Sequence, residues 1–231
     1  MIVLEQTLMS LLSTDTTLAT LLPGNAYLAT VTATGGTFTL TFNAVTTAAI
    51  AEAATAVTVQ AALVALSTVG TGNVVVTGNA GGPWTVTFIG TLANTGLALS
   101  GSGALLTPGG STLVIAQRAA VYNTVAVKPP ASYLTFALIP GKGPEYAFGG
   151  VVAYEEFRYQ MTCTTQGPGR ATIAAVLDRL DALLSGATLV VSGRTCWGVE
   201  KASDNPGESG YDGAGALWQW GGADYVVSFG D

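Results

Sequence analysis

The 231-residue sequence contains no histidine. Histidine supplies the base in Ser-His-Asp and Cys-His catalytic systems and is a frequent ligand of zinc and haem. It is also the side chain that ordinarily titrates near neutral pH. Its absence excludes most enzyme templates, so we expect a protein that is not an enzyme, with no catalytic residues, no metal site and no cofactor.

Cysteine is scarce as well, with Cys163 and Cys196 as the two examples. Two widely separated cysteines are too few for a thiolate metal cluster or for the disulfide framework of a small secreted protein. We therefore expect two free thiols in a protein that is made in a reducing cytoplasm.

Charged side chains make up 10% of the chain, whereas hydrophobic ones make up 49%. A chain with this much apolar surface can bury a core, which excludes general disorder. Eight Lys and Arg face fourteen Asp and Glu. Because nucleic-acid binding needs clustered cations, the balance predicts no specific nucleic-acid site.

The N-terminal half of the chain lacks cations, and Arg118 is the first one. A secretory signal begins with a positive segment, so none is predicted here. The apolar stretch from Thr46 to Gly70 is interrupted by Glu52 and by several threonines. It therefore predicts no transmembrane helix and no membrane partner.

Charge is unevenly distributed along the chain. Between Tyr27 and Gln117 the single charged residue is Glu52, and all others lie outside this segment. Such a change in composition predicts a domain boundary on either side of residues 27–118.

Inside that segment, alternating polar and apolar residues predict half-buried strands at 37–42, 73–77 and 84–88, and a last strand is predicted at 112–117. A helical period around Val57 to Leu66, with Thr55 or Thr58 as its cap, separates them. The prediction is a strand-strand-helix-strand-strand module. The glycine runs at 101–103 and 109–110 lead to the last strand.

Outside that segment, apolar spacing predicts a first helix around Val3 to Leu12 and a short second helix capped by Asp15 and ended by Pro23-Gly24. A longer helix is predicted from Arg170 to Ser185. Strands are predicted at 121–127, 133–139, 154–164, 188–191, 195–200 and 223–229, with a loop at 204–215. The fold class is α+β: a mixed or antiparallel sheet with two helices packed on it, plus the inserted β-rich domain.

Four stretches of the outer segments resemble the tail-terminator, or tail-completion, family of long-tailed bacteriophages. These are LLSTDTTLATLL (11–22), PPASYLTF (129–136), YEEFRYQM (154–161) with its following helix, and the C-terminal aromatic strand. The resemblance implies a structural subunit that forms a ring of six copies, caps the tail tube and joins it to the head-tail connector. It carries no catalytic motif.

Within the middle segment, the stretches GTFTLTFN (36–43), ATAVTVQAALVAL (54–66), GNVVVTG (72–78) and GPWTVTF (82–88) resemble a module that recurs in phage virion proteins. The tail-terminator family runs directly from its first helix to its first strand. The two resemblances together imply a core of residues 1–26 and 119–231 with residues 27–118 inserted as an accessory domain.

Several candidate sites have simpler explanations. Glu155 and Glu156 are neighbours on a predicted strand, so they point to opposite faces and cannot act as a catalytic pair. The acidic 204–212 loop, with Asp204, Glu208 and Asp212, is a possible cation loop but lacks the calcium-loop pattern. The glycine runs at 101–103 and 141–143 lack the spacing of a phosphate loop and are interpreted as turns.

Interface residues are the remaining candidates. The helix from Arg170 has an apolar stripe for the core, which leaves Arg170, Asp178, Arg179 and Asp181 for a neighbouring subunit. Trp218 and Trp220 alternate on one strand face. Burial in the sheet is the default interpretation of such residues, and the alternative is a subunit interface, where aromatic residues concentrate binding energy.

These observations predict a virion structural protein of the tail or neck, assembled in the host cytoplasm. The expected partners are further copies in a hexameric ring, the tail tube protein and head-tail connector proteins, with genome DNA passing through the ring without specific binding. The alternative is a host-surface or carbohydrate-binding adhesion module, because the Thr- and Gly-rich middle segment also suits an adhesin.

Overall fold

The computed structural model of this protein describes residues 2–93, 98–126, 129–140, 145–146, 152–191 and 194–230. The chain divides into a core unit, Met1–Leu22 with Ala119–Asp231, and an inserted unit, Pro23–Arg118. Helices combined with antiparallel and mixed sheets confirm the predicted α+β class.

The helices of the described residues are α1 (Ile2–Thr14), α2 (Thr16–Leu21), α3 (Ala56–Val64) and α4 (Arg170–Leu184), with a 3-10 turn at Gly90–Leu92. The strands are β1 (Pro23–Thr32), β2 (Gly35–Phe42), β3 (Val45–Thr46), β4 (Ile50–Ala51), β5 (Val74–Gly78), β6 (Trp84–Phe88), β7 (Leu99–Thr107), β8 (Thr112–Ala119), β9 (Val121–Asn123), β10 (Ser132–Ile139), β11 (Glu145–Tyr146), β12 (Val152–Gln166), β13 (Val190–Val191), β14 (Arg194–Tyr211) and β15 (Leu217–Gly230).

The core unit is built on a seven-stranded sheet with the order β13-β14-β15-β12-β10-β9, and β11 also pairs with β12. β9 runs parallel to β10, and the other pairs are antiparallel. β12 and β15 pair from Tyr154 and Gly230 at one end to Gln166 and Trp218 at the other. This long pairing forms the centre of the sheet.

Local sequence explains the helices that pack on this sheet. The Asp15 carboxylate accepts a hydrogen bond from the Leu18 N–H at 2.8 Å and so caps α2. The predicted apolar stripe of α4 is buried at Ile173, Val176, Leu180 and Leu184. It joins a cluster that includes α1, α2 and the inner face of the sheet.

The inserted unit contains two four-stranded sheets around an aromatic core. One has the order β5-β6-β1-β8, and in the other β2 pairs with β3, β4 and β7. Phe38 stacks on Trp84, and Phe42 stacks on Phe88. Helix α3 protects the β5 edge, where the Gln60 side chain accepts the Val76 N–H.

The two ends of the inserted unit are adjacent. Its first and last strands, β1 and β8, are neighbours in one sheet. In the core unit, the Ala120 N–H donates to the Leu22 carbonyl at 2.9 Å. The core chain therefore leaves and re-enters at one place, and the inserted unit starts with β1 at Pro23.

The structure corrects the prediction of a loop at residues 204–215, because β14 continues to Tyr211. β14 pairs with β13 only at its first residues, so the rest of it is an edge strand. The pairing register between β14 and β15 shifts at three places, which are Cys196/Gly198, Lys201/Ser203 and Asn205/Glu208. An edge strand tolerates Pro206 and bulges that a central strand would not, so composition alone suggested a loop.

The glycine run at 101–103 is also a strand, not a turn, because it lies within β7. A Cβ at Gly101 would lie 2.5 Å from the Thr39 carbonyl oxygen, and one at Gly103 would lie 3.0 Å from the Leu113 nitrogen. These glycines serve close packing of β7 on its neighbours. Sequence patterning also missed β1. The second glycine run interpreted as a turn, at 141–143, lies outside the described residues.

Candidate assembly surfaces

The register of the core sheet assigns its residues to two faces. The inner face carries Tyr159, Met161 and Tyr225, which are buried with the helices. No helix of the core unit joins the outer face among the described residues, because α1, α2 and α4 share the inner cluster. The outer face is therefore the broad surface of the core unit that its own helices leave uncovered.

Arg179 on α4 is held within its own subunit. Its Nη2 lies 2.6 Å from Asp15 Oδ2 and its Nε lies 3.1 Å from Oδ1. The hydrogen bond from Arg179 lowers the pKa of Asp15 below its ordinary value. Asp15 thus caps α2 and joins it to α4, and sequence patterning missed this pairing because the two residues are far apart in the chain.

Asp181 is also bound internally. Its carboxylate accepts hydrogen bonds from the Lys201 ammonium and from the buried Tyr225 hydroxyl. Burial opposes ionisation of Asp181, but these two donors outweigh it and lower its pKa. Burial, followed by the Asp181 contact, raises the pKa of Tyr225. Asp181 therefore connects α4 to β14 and β15.

Arg170 and Asp178 differ from these two residues because they are exposed. The described part of the chain offers neither of them an ion-pair partner. The charged face predicted for α4 is thus divided: Arg179 and Asp181 hold the subunit together, whereas Arg170 and Asp178 are available to a neighbour.

Trp218 and Trp220 lie half-buried on the outer face of β15. The Trp218 indole N–H donates to Asp212 Oδ2 at 3.0 Å. Gly210 lies beside the Trp220 ring, which a Cβ there would approach within 3.3 Å. Tyr122 and Tyr133, in edge-to-face contact on β9 and β10, lie on the same face and are also half-buried.

Two of the three acids of the suspected cation loop, Asp204 and Asp212, have structural roles. Asp204 forms an ion pair with Lys201. Asp212 accepts hydrogen bonds from Trp218 and from the backbone N–H groups of Ala214 and Ala216, which lowers its pKa and closes the β14–β15 hairpin. Among the described residues, no group of three or more His, Cys, Asp and Glu is arranged to hold a metal ion.

A polar network on the outer face was not visible in the sequence. Asp224 is 5% exposed and accepts hydrogen bonds from Arg158, Ser203 and Asn205. Burial opposes its ionisation, but these donors lower its pKa. Arg158 lies on β12, and Ser203 and Asn205 lie on β14, the two strands that flank Asp224 on β15. Only the sheet register brings these residues together.

An acidic concavity lies at the opposite end of the outer face from the two tryptophans. Glu156, Trp197, Gly198, Glu200 and Ser228 line it, and its volume is about 300 Å³. Both glutamates are exposed, and Trp197 is 62% exposed. Glu155 pairs with Phe229 and Glu156 with Ser228, so the register confirms that the two neighbouring glutamates face opposite sides of the sheet.

Cys163 and Cys196 are buried free thiols, as predicted. They lie on β12 and β14, which β15 separates. Burial raises the pKa of Cys163 to about 12.

No helix in the described ranges has both the length and the apolar character needed to cross a membrane.

Comparison with known proteins gives weak structural similarities. No protein-family model matches the chain, and no curated protein matches it. A solved chain from Mycobacterium phage Patience is 25% identical with a TM-score of 0.33; the match covers 42% of this chain and 38% of that one. A chain from the virion of a native gene transfer agent particle is 20% identical with a TM-score of 0.36, covering 48% of this chain and 79% of that one.

Proposed function

We propose that this protein is a structural subunit of a tailed-phage particle: a tail terminator that assembles into a ring of six copies, caps the tail tube and joins it to the head-tail connector. The resemblance of residues 11–22, 129–136 and 154–161 to the tail-terminator family supports this assignment. In this proposal the protein is not an enzyme and acts through its surfaces.

The observation that carries the proposal is the outer face of the core sheet. It presents four half-buried aromatic side chains, Tyr122, Tyr133, Trp218 and Trp220, with no helix of the core unit packed on them in the described structure. Aromatic residues dominate the binding energy of protein interfaces because they bury large areas with little loss of conformational freedom. A subunit that works by assembly needs such a surface.

The net charge of −6 fits a ring through which DNA passes. Exposed carboxylates repel phosphate, so a lumen that carries them would let DNA slide without adhering. A closed ring also needs two different patches on each subunit, repeated by a rotation that closes.

Native mass spectrometry and negative-stain electron microscopy of the purified protein test ring formation. We expect a closed oligomer whose mass is six times that of the chain. A Trp218→Ala, Trp220→Ala variant should remain folded and lose the oligomer, while Val57→Ala, at an exposed apolar residue of the inserted unit, should assemble normally. A wild-type protein that remains monomeric at every concentration would contradict the proposal.

One observation favours an adhesion role for the inserted unit as the second candidate. Cross-strand pairs place Thr39 with Ser102, and Thr41 with Ser100 and Thr46, on one face of the β2 sheet. Uncharged hydroxyl groups on an exposed sheet can hydrogen-bond to neutral glycans. Binding of the isolated protein to a glycan array, lost on replacing Thr39 and Thr41 by valine, would favour this role.

A further inference from the structure

The acidic concavity is suited to receive a cationic side chain. Its two glutamates have no hydrogen-bond or ion-pair partner in the described part of the chain. The exposed Trp197 ring adds an aromatic surface, and Gly198 leaves the space beside it open, since a Cβ there would meet nothing within 4 Å. Carboxylates next to an indole match a planar guanidinium through ion pairing and cation–π attraction.

Arg170 is the matching cation on the core unit. Among the cations of the core unit whose side chains the structure describes, Arg158, Arg179 and Lys201 each form an ion pair with a carboxylate of the same chain. Arg170 forms none. Arg170 is exposed at the first position of α4, whose N-cap Gly169 provides no capping side chain. The positive end of the helix dipole therefore adds to the charge of Arg170.

The positions of the two patches forbid a contact within one core unit and favour one between copies. The concavity lies at the Glu156 end of β12, whereas α4 starts just beyond its Gln166 end. At about 3.3 Å per residue the two ends are about 33 Å apart. The concavity also lies on the outer face, while α4 packs on the inner one.

We propose that Arg170 of one subunit binds in the Glu156–Trp197–Glu200 concavity of the next subunit. This contact joins two different patches, so it is the head-to-tail type that a ring requires. It also offsets locally the repulsion between copies that each carry a net charge of −6. The inference rests on the proposed ring, and it assigns the charged contact that fixes its direction.

A complementary charge swap tests this contact. Arg170→Glu places a negative charge opposite the acidic concavity, and Glu156→Lys with Glu200→Lys places positive charges opposite Arg170. Each variant alone should self-associate at least about tenfold more weakly than the wild type, because like charges then meet at the contact. Mixing the two variants should restore rings in which they alternate, since every junction then pairs opposite charges.

Arg118→Glu, which makes the same charge change in the inserted unit, is the control and should assemble normally. Native mass spectrometry identifies the alternating rings by mass, and circular dichroism verifies that each variant is folded. If the double-lysine variant does not fold, Glu200→Lys alone is mixed with Arg170→Glu for the same comparison.

The outcomes distinguish a failure of the proposed Arg170 contact from a failure of the proposed tail-terminator role. Rings of normal stability from Arg170→Glu, or no rings from the mixture of folded variants, would overturn the contact and leave the tail-terminator role standing. Charge-swapped rings that form as expected but do not cap tail tubes would support the contact and overturn the role. A monomeric wild type would overturn both.

Discussion

Replacing Asp15 tests how the core unit is held together. The carboxylate of Asp15 is 9% exposed, caps α2 and forms a two-point ion pair with Arg179. Loss of an N-cap costs about 1 kcal/mol, and a partly exposed ion pair contributes up to about 1 kcal/mol. Asp15→Ala removes both, so we expect the free energy of unfolding to fall by about 2 kcal/mol and the melting temperature by about 6 °C.

Asp15→Asn separates the two contributions because its amide oxygen still caps the helix. Its melting temperature should fall by about half as much. The folded state lowers the pKa of Asp15 below 3.8. The ion pair therefore stabilises the protein fully above pH 3.8. Its contribution is lost as the pH falls through the lower pKa that Asp15 has in the folded state.

Near-ultraviolet circular dichroism during heating measures these differences at pH 7 and at pH 3. The difference between wild type and Asp15→Asn should be present at pH 7 and should shrink at pH 3. An Asp15→Ala variant that melts at the wild-type temperature at pH 7 would show that Asp15 does not stabilise the core unit.

Three further perturbations follow from the fold. Removing residues 23–118 and joining Leu22 to Ala119 through a short linker should leave a core that melts cooperatively; loss of the transition would show that the core depends on the inserted unit. Gly222→Ala places a Cβ 2.1 Å from the Met161 carbonyl oxygen and should destabilise by about 1–3 kcal/mol, whereas Gly213→Ala, with nothing within 4 Å, should melt like the wild type. Replacing both cysteines by serine should cost less than the 2–5 kcal/mol of a lost disulfide, and a native mass lower by two hydrogens would reveal a bond between them instead.

The sequence predicted the elements whose signals are local. Asp15 precedes an apolar turn and became the cap of α2, and the stripe from Ile173 to Leu184 became the buried face of α4. The alternation of polar and apolar residues at 37–42 and 84–88 likewise predicted β2 and β6. In each case the residues that determine the element lie within it or next to it.

The remaining features depend on long-range pairing. Glycine and Pro206 suggested a loop at 204–215, but pairing with β15 makes most of it an edge strand. Arg179 was expected to face a neighbour, and only the fold brings it to Asp15. Arg179→Glu would place two carboxylates together, so we expect it to destabilise the core unit.

The most direct test of the tail-terminator role is the length of tail tubes assembled from purified tube protein with and without this protein. Tubes should grow without limit when it is absent. When it is added, electron microscopy should show short tubes of controlled length with one ring of six copies at a single end. Tubes of unchanged length, with no ring at either end, would contradict the proposed function.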